Sequence, residues 1–187
     1  MKKTIAAASG TPRARLTGVI YLFYFLAAII GQILGQQNFT AWSNGINLVS
    51  YALYLALALL LYYMFKPVSR LLSLVAAVVS TIGCVIGAVA LFYAPASQIS
   101  PLWFFGPYCL LIGYLIFRST FLPRIPGVLM MLAGVGWLTF LSPLGKYVAK
   151  YIEILGVLAE VSVMLWLMVK GVNVSQWNEQ AATAEGR

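Results

Sequence analysis

Acidic side chains are the first candidates for chemistry in this sequence, because its 187 residues include no His and no Asp. All of the acidic charge is carried by four glutamates, of which Glu179 and Glu185 lie in a polar C-terminal segment. The other two, Glu153 and Glu160, are seven residues apart, so a helix places them on one face and two turns apart. A lone carboxyl of this kind is suited to binding a proton, a cation or a polar ligand headgroup.

The residue types that are absent exclude most catalytic sites. Ser-His-Asp triads, Cys-His dyads, paired aspartates, and zinc or haem sites with imidazole ligands all need His or Asp. No Gly-rich phosphate loop followed by Lys occurs either. Cys84 and Cys109 fall in apolar segments, which indicates small buried side chains rather than a disulfide framework. We therefore expect no catalytic residues, no enzyme activity, no cofactor and no metal site.

Long uncharged segments indicate that the chain folds in a membrane. The sequence is 62% hydrophobic and 9% charged, whereas soluble domains are roughly 45–50% apolar. A helix needs roughly 20 apolar residues to cross a bilayer, and the apolar segments lack the alternation typical of strands. We predict an all-α, polytopic membrane helix bundle. Its six transmembrane helices are predicted at residues 16–35, 46–65, 71–93, 102–117, 125–141 and 152–169.

The distribution of positive charge predicts the orientation, because cytoplasmic loops are rich in Lys and Arg. Ten of the 12 basic residues fall at the termini or in the second and fourth turns, and only Lys146 and Lys150 fall in the loops of the other side. This places both termini in the cytoplasm. We expect an N-terminal cytoplasmic tail at 1–14, the membrane domain at 15–172 and a polar C-terminal tail at 173–187.

The net charge of +8 raises the question of nucleic acid. A nucleic-acid surface needs clustered basic residues with interleaved aromatics, whereas these residues occur singly or in pairs at segment ends. We expect no nucleic-acid partner. Lys66, Arg70, Arg118 and Arg124 flank two predicted cytoplasmic turns, where they either set the topology alone or also contact lipid headgroups. Membrane lipids are the expected partners, together with a partner membrane protein or a second copy of this chain.

Glu160 is the unusual residue of the membrane domain, because it falls near the middle of the last apolar segment, where an ionised carboxylate is costly. Protonation, hydrogen bonds from other helices, a hydrated cavity or a cation would each offset that cost. The candidate partners are Tyr108 and Tyr114 on the fourth helix, Ser80 and Thr81 on the third, Gln32 on the first, and Arg118 nearer the cytoplasmic edge. Two interpretations remain open. Glu160 either faces a cavity that binds a ligand or forms a hydrogen-bonded clamp between helices.

Small residues at a spacing of four predict close helix contacts, since they allow backbones to approach in lipid. Gly31 and Gly35 fit this spacing in the first helix. The third helix carries a narrow face of Ala76, Ser80, Cys84 and Ala88, together with Gly83 and Gly87. We expect this third helix to pack against its neighbours and the tail beyond about Gln180 to be disordered.

Three stretches of the sequence are similar to one protein family. They are RLTGVIYL at 15–22, GYLIFRS at 113–119 continuing through Leu122-Pro123-Arg124 to Gly134, and Glu160 with LWL at 165–167 and KGV at 170–172. Together, over about residues 13–173, they resemble the bacterial membrane proteins grouped as domain of unknown function 4386. The resemblance implies a small multi-helix protein of the bacterial inner membrane without an assigned activity. It singles out Gly113, Tyr114, Arg118, Pro123, Arg124, Gly127, Glu160, Trp166, Lys170 and Gly171.

Two functions are compatible with these observations. The first is a non-enzymatic membrane module that interacts with lipids or with partner membrane proteins. The second is a small proton- or cation-coupled secondary transporter that uses Glu160 for coupling. The sequence lacks charged or Gly/Pro-broken segments at corresponding places in its two halves, which favours the first.

Overall fold

The protein is all-helical, as the sequence predicts, in a computed structural model that describes residues 2–93 and 101–185. The helices of these ranges are α1 (Lys2–Gln36), α2 (Thr40–Phe65), α3 (Arg70–Ala90), α4 (Leu102–Arg118), α5 (Arg124–Leu138), α6 (Gly145–Val169) and α7 (Val174–Glu185). A 3₁₀ turn, Thr139–Leu141, follows α5. The predicted loop 95–101, apart from Pro101, and the terminal Arg187 lie outside the described residues.

Five helices of the described ranges are long and apolar enough to cross a membrane. Their apolar segments are Arg13–Gln36, Thr40–Phe65, Arg70–Ala90, Arg124–Leu141 and Tyr147–Val169. The sixth apolar helix, α4, is shorter at 17 residues. Six crossings therefore stay a prediction, although all six predicted segments are helical.

Helices lie near both ends of the chain. The backbone of the predicted N-terminal tail continues α1 back to Lys2. The expected disorder beyond Gln180 is wrong, because α7 extends to Glu185 and contacts the rest of the protein. Trp177 Nε1 donates a 3.0 Å hydrogen bond to the Met64 carbonyl. The side-chain oxygen of Gln180 accepts 3.1 Å hydrogen bonds from the backbone N–H and the hydroxyl of Thr120. These contacts hold α7 against the bundle, although its polar composition predicted disorder.

Helices α1 to α6 form a closed ring, in which each helix packs against the next and α6 packs against α1. Short connections make consecutive helices antiparallel. The α2–α3 turn, 66–69, and the α4–α5 turn, 119–123, therefore lie at one end of the ring, where α7 covers them and contacts α1. We call this the α7 end. The α1–α2 turn, 37–39, and the α5–α6 connection, 142–144, lie at the opposite end.

Glycines on both sides bring the backbones of α4 and α5 into contact. A Cβ added to Gly113 would lie 2.7 Å from the Gly127 carbonyl oxygen, and one added to Gly127 would lie 2.8 Å from the Gly113 carbonyl oxygen. Seven residues along each helix the arrangement repeats, since a Cβ on Gly134 would lie 2.9 Å from the Gly106 carbonyl oxygen. Any side chain at these positions would push the helices apart. The middle stretch of the family resemblance thus has a structural explanation.

The small-residue face predicted on α3 is confirmed as a packing face. Ala76, Ser80 and Cys84 are buried, and Ala88 is half-buried. The glycines of α1 also lie at a helix contact, because the Ser43 hydroxyl of α2 donates a 2.8 Å hydrogen bond to the Gly31 carbonyl. These small residues line the inner and lateral faces of the ring. Large apolar side chains, such as Val78 and Val85, lie on the exposed surface of the ring.

Candidate functional site

Glu160 lies inside the ring, near the middle of the apolar segment Tyr147–Val169. Its side chain is only 4% exposed. Glu153 shares its side of α6, but it lies about 10 Å nearer the opposite end, given a rise of about 1.5 Å per residue, and it is exposed. One acid is therefore solvated or lipid-facing, and the other is sheltered by the bundle.

Two tyrosines from the first two helices contact the Glu160 carboxyl. The Tyr54 hydroxyl of α2 donates a hydrogen bond to Oε1 of Glu160 at 3.4 Å, and the Tyr21 side chain of α1 is a second hydrogen-bond partner. Both rings are buried. These two donors were not predicted from the sequence. Their position could have indicated them, because a tyrosine in the middle of an apolar segment needs a hydrogen-bond partner for its hydroxyl.

Of the partners predicted for Glu160 on α4, only Tyr108 lies near the carboxyl. Tyr108 is 1% exposed, and its ring centroid lies 5.6 Å from that of Tyr54. Tyr114 is 42% exposed and Arg118 is exposed, so neither reaches the carboxyl. Tyr108 and Tyr114 are six residues apart, and at about 100° per residue a helix directs them to different sides. Arg118 is displaced from Tyr108 by about 15 Å along the axis by the same helical rise.

Some of the partners predicted on α1 and α3 also lie near Glu160, and one does not. Gln32 and Ser80 line the cavity that contains Glu160. Thr81 does not, because its side chain is exposed and its hydroxyl donates a 2.8 Å hydrogen bond to the Ala77 carbonyl of its own helix. Neighbouring positions on one helix thus separate a cavity-facing hydroxyl from an outward-facing one.

The cavity beside Glu160 has a volume of about 490 Å³ and reaches from the carboxyl toward the opposite end of the ring. Most lining residues lie in the half of their helix nearer that end, as do 24–33 of α1, 101–108 of the α4 region and Trp137 of α5, whereas Tyr54 and Glu160 lie near the middle of α2 and α6. Glu160 is the deepest lining residue of α6. The carboxyl is therefore at the inner limit of the cavity.

The ring is solid between Glu160 and the α7 end. Leu57, Leu61, Phe65, Leu115 and Leu167 fill this half, and each of them is almost completely buried. They belong to one continuous apolar core that also includes side chains of the two turns. The cavity is therefore closed on the α7 side.

Unpaired polar atoms are concentrated on the cavity wall. Among the side chains that the structure describes, three buried polar atoms lack a hydrogen-bond partner: Ser80 Oγ, Tyr108 Oη and Trp137 Nε1. All three residues line this one cavity. Native proteins leave few buried polar groups unpaired, and each such group calls for an explanation such as a bound molecule.

The wall is aromatic and carries one acidic group. Eight of the 21 described lining residues are aromatic, and Glu160 is the one acidic residue among them. Glu160 and Cys84 are the metal-ligating side chains of this described wall, fewer than the three protein ligands of a typical catalytic zinc site. The arrangement is suited to an apolar molecule with a small polar or charged group.

The four basic residues predicted as headgroup contacts lie together at the α7 end. Lys66 follows α2, Arg70 begins α3, Arg118 ends α4 and Arg124 begins α5. All four are exposed. The Arg124 guanidinium lies 5.5 Å from the centre of the Phe117 ring, where a cation–π contact holds it at the helix end. These residues are separate from the Glu160 cavity.

The fold and the site define a helical membrane protein with an aromatic cavity around a buried carboxyl. A family model described as "Domain of unknown function (DUF4386)" matches residues 95–171. The resemblance noted in the sequence is thereby confirmed over α4, α5 and α6, including Glu160, while the stretch at 15–22 lies outside the match. The description of the family gives no activity.

The chain is 28% identical over 127 residues to an uncharacterized protein of Archaeoglobus fulgidus, an alignment that covers 64% of this chain and 77% of that protein. No solved structure matches the chain.

Proposed function

We propose that this protein is a non-enzymatic, multi-pass membrane protein whose Glu160 cavity binds a small lipophilic molecule. The proposal includes six spans, both termini in the cytoplasm and a location in the bacterial inner membrane. The 17 residues of α4 meet the lower limit of about 17–25 residues for a crossing helix. Its place in the closed ring, between two segments that are long and apolar enough to cross a membrane, supports a sixth span.

The observation that carries the binding function is the position of the unpaired polar atoms. Ser80, Tyr108 and Trp137 line the cavity that contains Glu160, and each has a buried polar atom without a hydrogen-bond partner. An unsatisfied buried polar group costs about 1–3 kcal/mol, so a ligand that pairs with these groups gains free energy on binding. The volume of about 490 Å³ falls within the roughly 300–1,000 Å³ of small-molecule sites.

A neutral fluorescent probe tests this function. N-phenyl-1-naphthylamine, whose emission rises in apolar surroundings, is titrated into the purified protein in a mild detergent. Ala28 lines the cavity, whereas its neighbour Ala27 does not. We expect Ala28→Phe to fill part of the cavity and abolish the protein-dependent emission, and Ala27→Phe to preserve it. Equal emission from the wild type and Ala28→Phe, after correction for micelles, would refute binding in this cavity.

Lipids and other membrane proteins are the proposed partners at the surface. Lys66, Arg70, Arg118 and Arg124 are exposed at the α7 end, which the charge distribution assigns to the cytoplasm. Anionic lipid headgroups attract basic side chains at this depth. A partner membrane protein or a second copy would pack on the exposed apolar faces of the ring.

A second candidate function, transport, is favoured by the one-sided shape of the cavity. The cavity lies mainly on one side of a carboxyl near mid-depth, and packed side chains close the other half. Binding near the midplane with access from one side is the arrangement expected of one state of a secondary transporter. Solute-driven proton flux in proteoliposomes, lost in Glu160→Gln, would support transport. Undiminished flux in that variant would exclude coupling through Glu160.

A further inference from the structure

We infer that the cavity selects a lipophilic organic cation, whose charge pairs with the Glu160 carboxylate while its apolar body contacts the aromatic wall. This inference rests on the proposed binding function and specifies the class of ligand. Three features support it: the charge of the wall, the placement of the aromatic rings and the remaining acceptor capacity of the carboxyl.

The one acidic group of the wall has no basic side chain beside it. Glu160 is the one acidic or basic residue among the described residues that line the cavity. The described basic residues on the helices that contact Glu160 or carry it, among them Arg15, Lys150 and Lys170, are exposed and do not line the cavity. A carboxylate at this depth in a membrane is costly unless it is paired. A cationic ligand supplies the missing partner, whereas an anion would be repelled.

The aromatic rings form a continuous wall next to the carboxyl. The ring centroids of Tyr24 and Tyr54 are 4.6 Å apart, and those of Tyr54 and Tyr108 are 5.6 Å apart. Phe105 meets Trp137 edge to face at 5.2 Å. Aromatic rings attract organic cations through the negative charge of their faces, most strongly where water is excluded. A wall of aliphatic side chains would bind a neutral molecule as well as this aromatic wall does. The rings therefore favour a cationic ligand over a neutral one.

The carboxyl retains acceptor sites for a ligand. A carboxylate has about four lone-pair sites, and the described protein donors to Glu160 are Tyr54 and Tyr21. The unpaired hydroxyls of Ser80 and Tyr108 lie on the same wall and can accept hydrogen bonds from an ammonium group. The cation is therefore placed between the carboxylate and these hydroxyls, with its apolar part toward Phe105 and Trp137.

Two ions of the same shape and opposite charge test the inference. Tetraphenylphosphonium and tetraphenylborate are each used to displace N-phenyl-1-naphthylamine from the purified protein in detergent. We expect the cation to displace the neutral probe from the wild type at a concentration at least tenfold lower than the anion, after correction for partition into micelles. We expect Glu160→Gln to weaken displacement by the cation at least tenfold, relative to the affinity of the same variant for the neutral probe.

Glu153→Gln is the matched control, because it removes the same charge from the same helix outside the cavity. It should bind both ions as the wild type does. If Glu160→Gln fails to fold, Phe105→Leu gives a second test, since it keeps apolar volume but removes an aromatic face. We expect it to weaken binding of the cation severalfold relative to binding of the neutral probe by the same variant.

The outcomes separate this inference from the proposed function. If the neutral probe binds but the two ions compete equally in the wild type, the cation inference is refuted and the lipophile site remains. If cation binding is the same in the wild type, Glu160→Gln and Phe105→Leu, the inference is also refuted. If neither the neutral probe nor the ions bind, the proposed function fails as well.

Discussion

The hydroxyl of Tyr54 and the carboxyl of Glu160, 106 residues apart in the chain, meet in a 3.4 Å hydrogen bond inside the bundle. Tyr54 belongs to α2 and Glu160 to α6, and these helices are not neighbours in the ring. The bond therefore spans the interior behind α1 and sets the inner limit of the cavity. It ties a polar group of the first half of the chain to the one buried acid among the described residues.

Replacing Tyr54 by Phe should reduce stability through the loss of this bond alone. The ring and its contacts with Tyr24 and Tyr108 are kept, and only the hydroxyl is removed. We expect a loss of about 1 kcal/mol in the free energy of unfolding, the usual net value of such a bond. Reversible unfolding in mixed micelles of dodecylmaltoside and sodium dodecyl sulfate measures it. In the Glu160→Leu background the same substitution should cost much less, as a double-mutant cycle shows.

Tyr63→Phe is the control for this prediction, because Tyr63 is on the same helix and its side chain is exposed. It should change the free energy of unfolding little. An equal cost for Tyr54→Phe with and without the carboxyl would show that the hydroxyl stabilises the protein by some other contact.

The depth of Glu160 could be predicted from the sequence, but its partners could not. Depth follows from the position of a residue within an apolar segment, and Glu160 is central in α6. Partners depend on the order of helices in the ring and on the rotation of each helix, which a single sequence does not determine. Tyr108 and Tyr114 were equal candidates on α4, yet only Tyr108 faces inward.

Gly113→Ala should separate α4 from α5. The new Cβ would lie 2.7 Å from both the Gly127 carbonyl oxygen and the Met131 nitrogen, and neither backbone atom can move independently of its helix. Overpacking of this kind costs about 1–3 kcal/mol. We expect a loss of that size in the free energy of unfolding, measured in the same mixed micelles.

Gly45→Ala provides the matched control, because nothing lies within 4 Å of a Cβ added there. Gly45 lies within α2, and alanine is favoured over glycine in a helix by up to about 1 kcal/mol. It should therefore be neutral or stabilising. A similar loss in the free energy of unfolding for both variants would mean that the close contact between α4 and α5 is not the cause of the effect of Gly113→Ala.

The segment after α6 shows why local composition misled the prediction of disorder. Its residues are polar, but their partners lie in the last turn of α2 and on the α4–α5 turn, more than 50 residues away in the chain. Trp177 was the available signal, since a lone Trp in a polar segment is a natural anchor for a helix that lies on a bundle. The end of α6 is easier to predict from the sequence than α7, because Gly171 comes directly after the last turn of α6.

Gly171→Ala should loosen α7 while leaving the ring intact. Gly171 has a φ of 71° and its N–H donates a 3.0 Å hydrogen bond to the Trp166 carbonyl, which ends α6. An L-residue in this left-handed conformation costs roughly 1–2 kcal/mol, and asparagine tolerates it better than alanine. We expect faster hydrogen exchange in α7 for Gly171→Ala than for Gly171→Asn, measured by mass spectrometry. Equal exchange in the wild type and both variants would contradict a role for this glycine in docking α7.

Single cysteines should report the orientation of the protein in cells. Thr40 and Ser175 are both exposed, the first at the opposite end of the ring and the second on α7. A membrane-impermeant maleimide should label Thr40→Cys on intact cells and label Ser175→Cys only after permeabilisation. The native cysteines are buried and give a low background. The reverse pattern would invert the orientation that the positive charges predict, and labelling of both on intact cells would contradict an even number of spans.

The two native cysteines should differ in reactivity if the cavity is open to small molecules. Cys84 lines the cavity, whereas Cys109 is packed in the core and does not. We expect methyl methanethiosulfonate, a small neutral reagent, to modify Cys84 at least tenfold faster than Cys109 in detergent-solubilised protein, as followed by mass spectrometry of the two peptides. Ala28→Phe should slow the modification of Cys84 because it fills the space beside it, and should leave Cys109 unaffected. Equal rates at both thiols would show that reagent enters by unfolding rather than through the cavity.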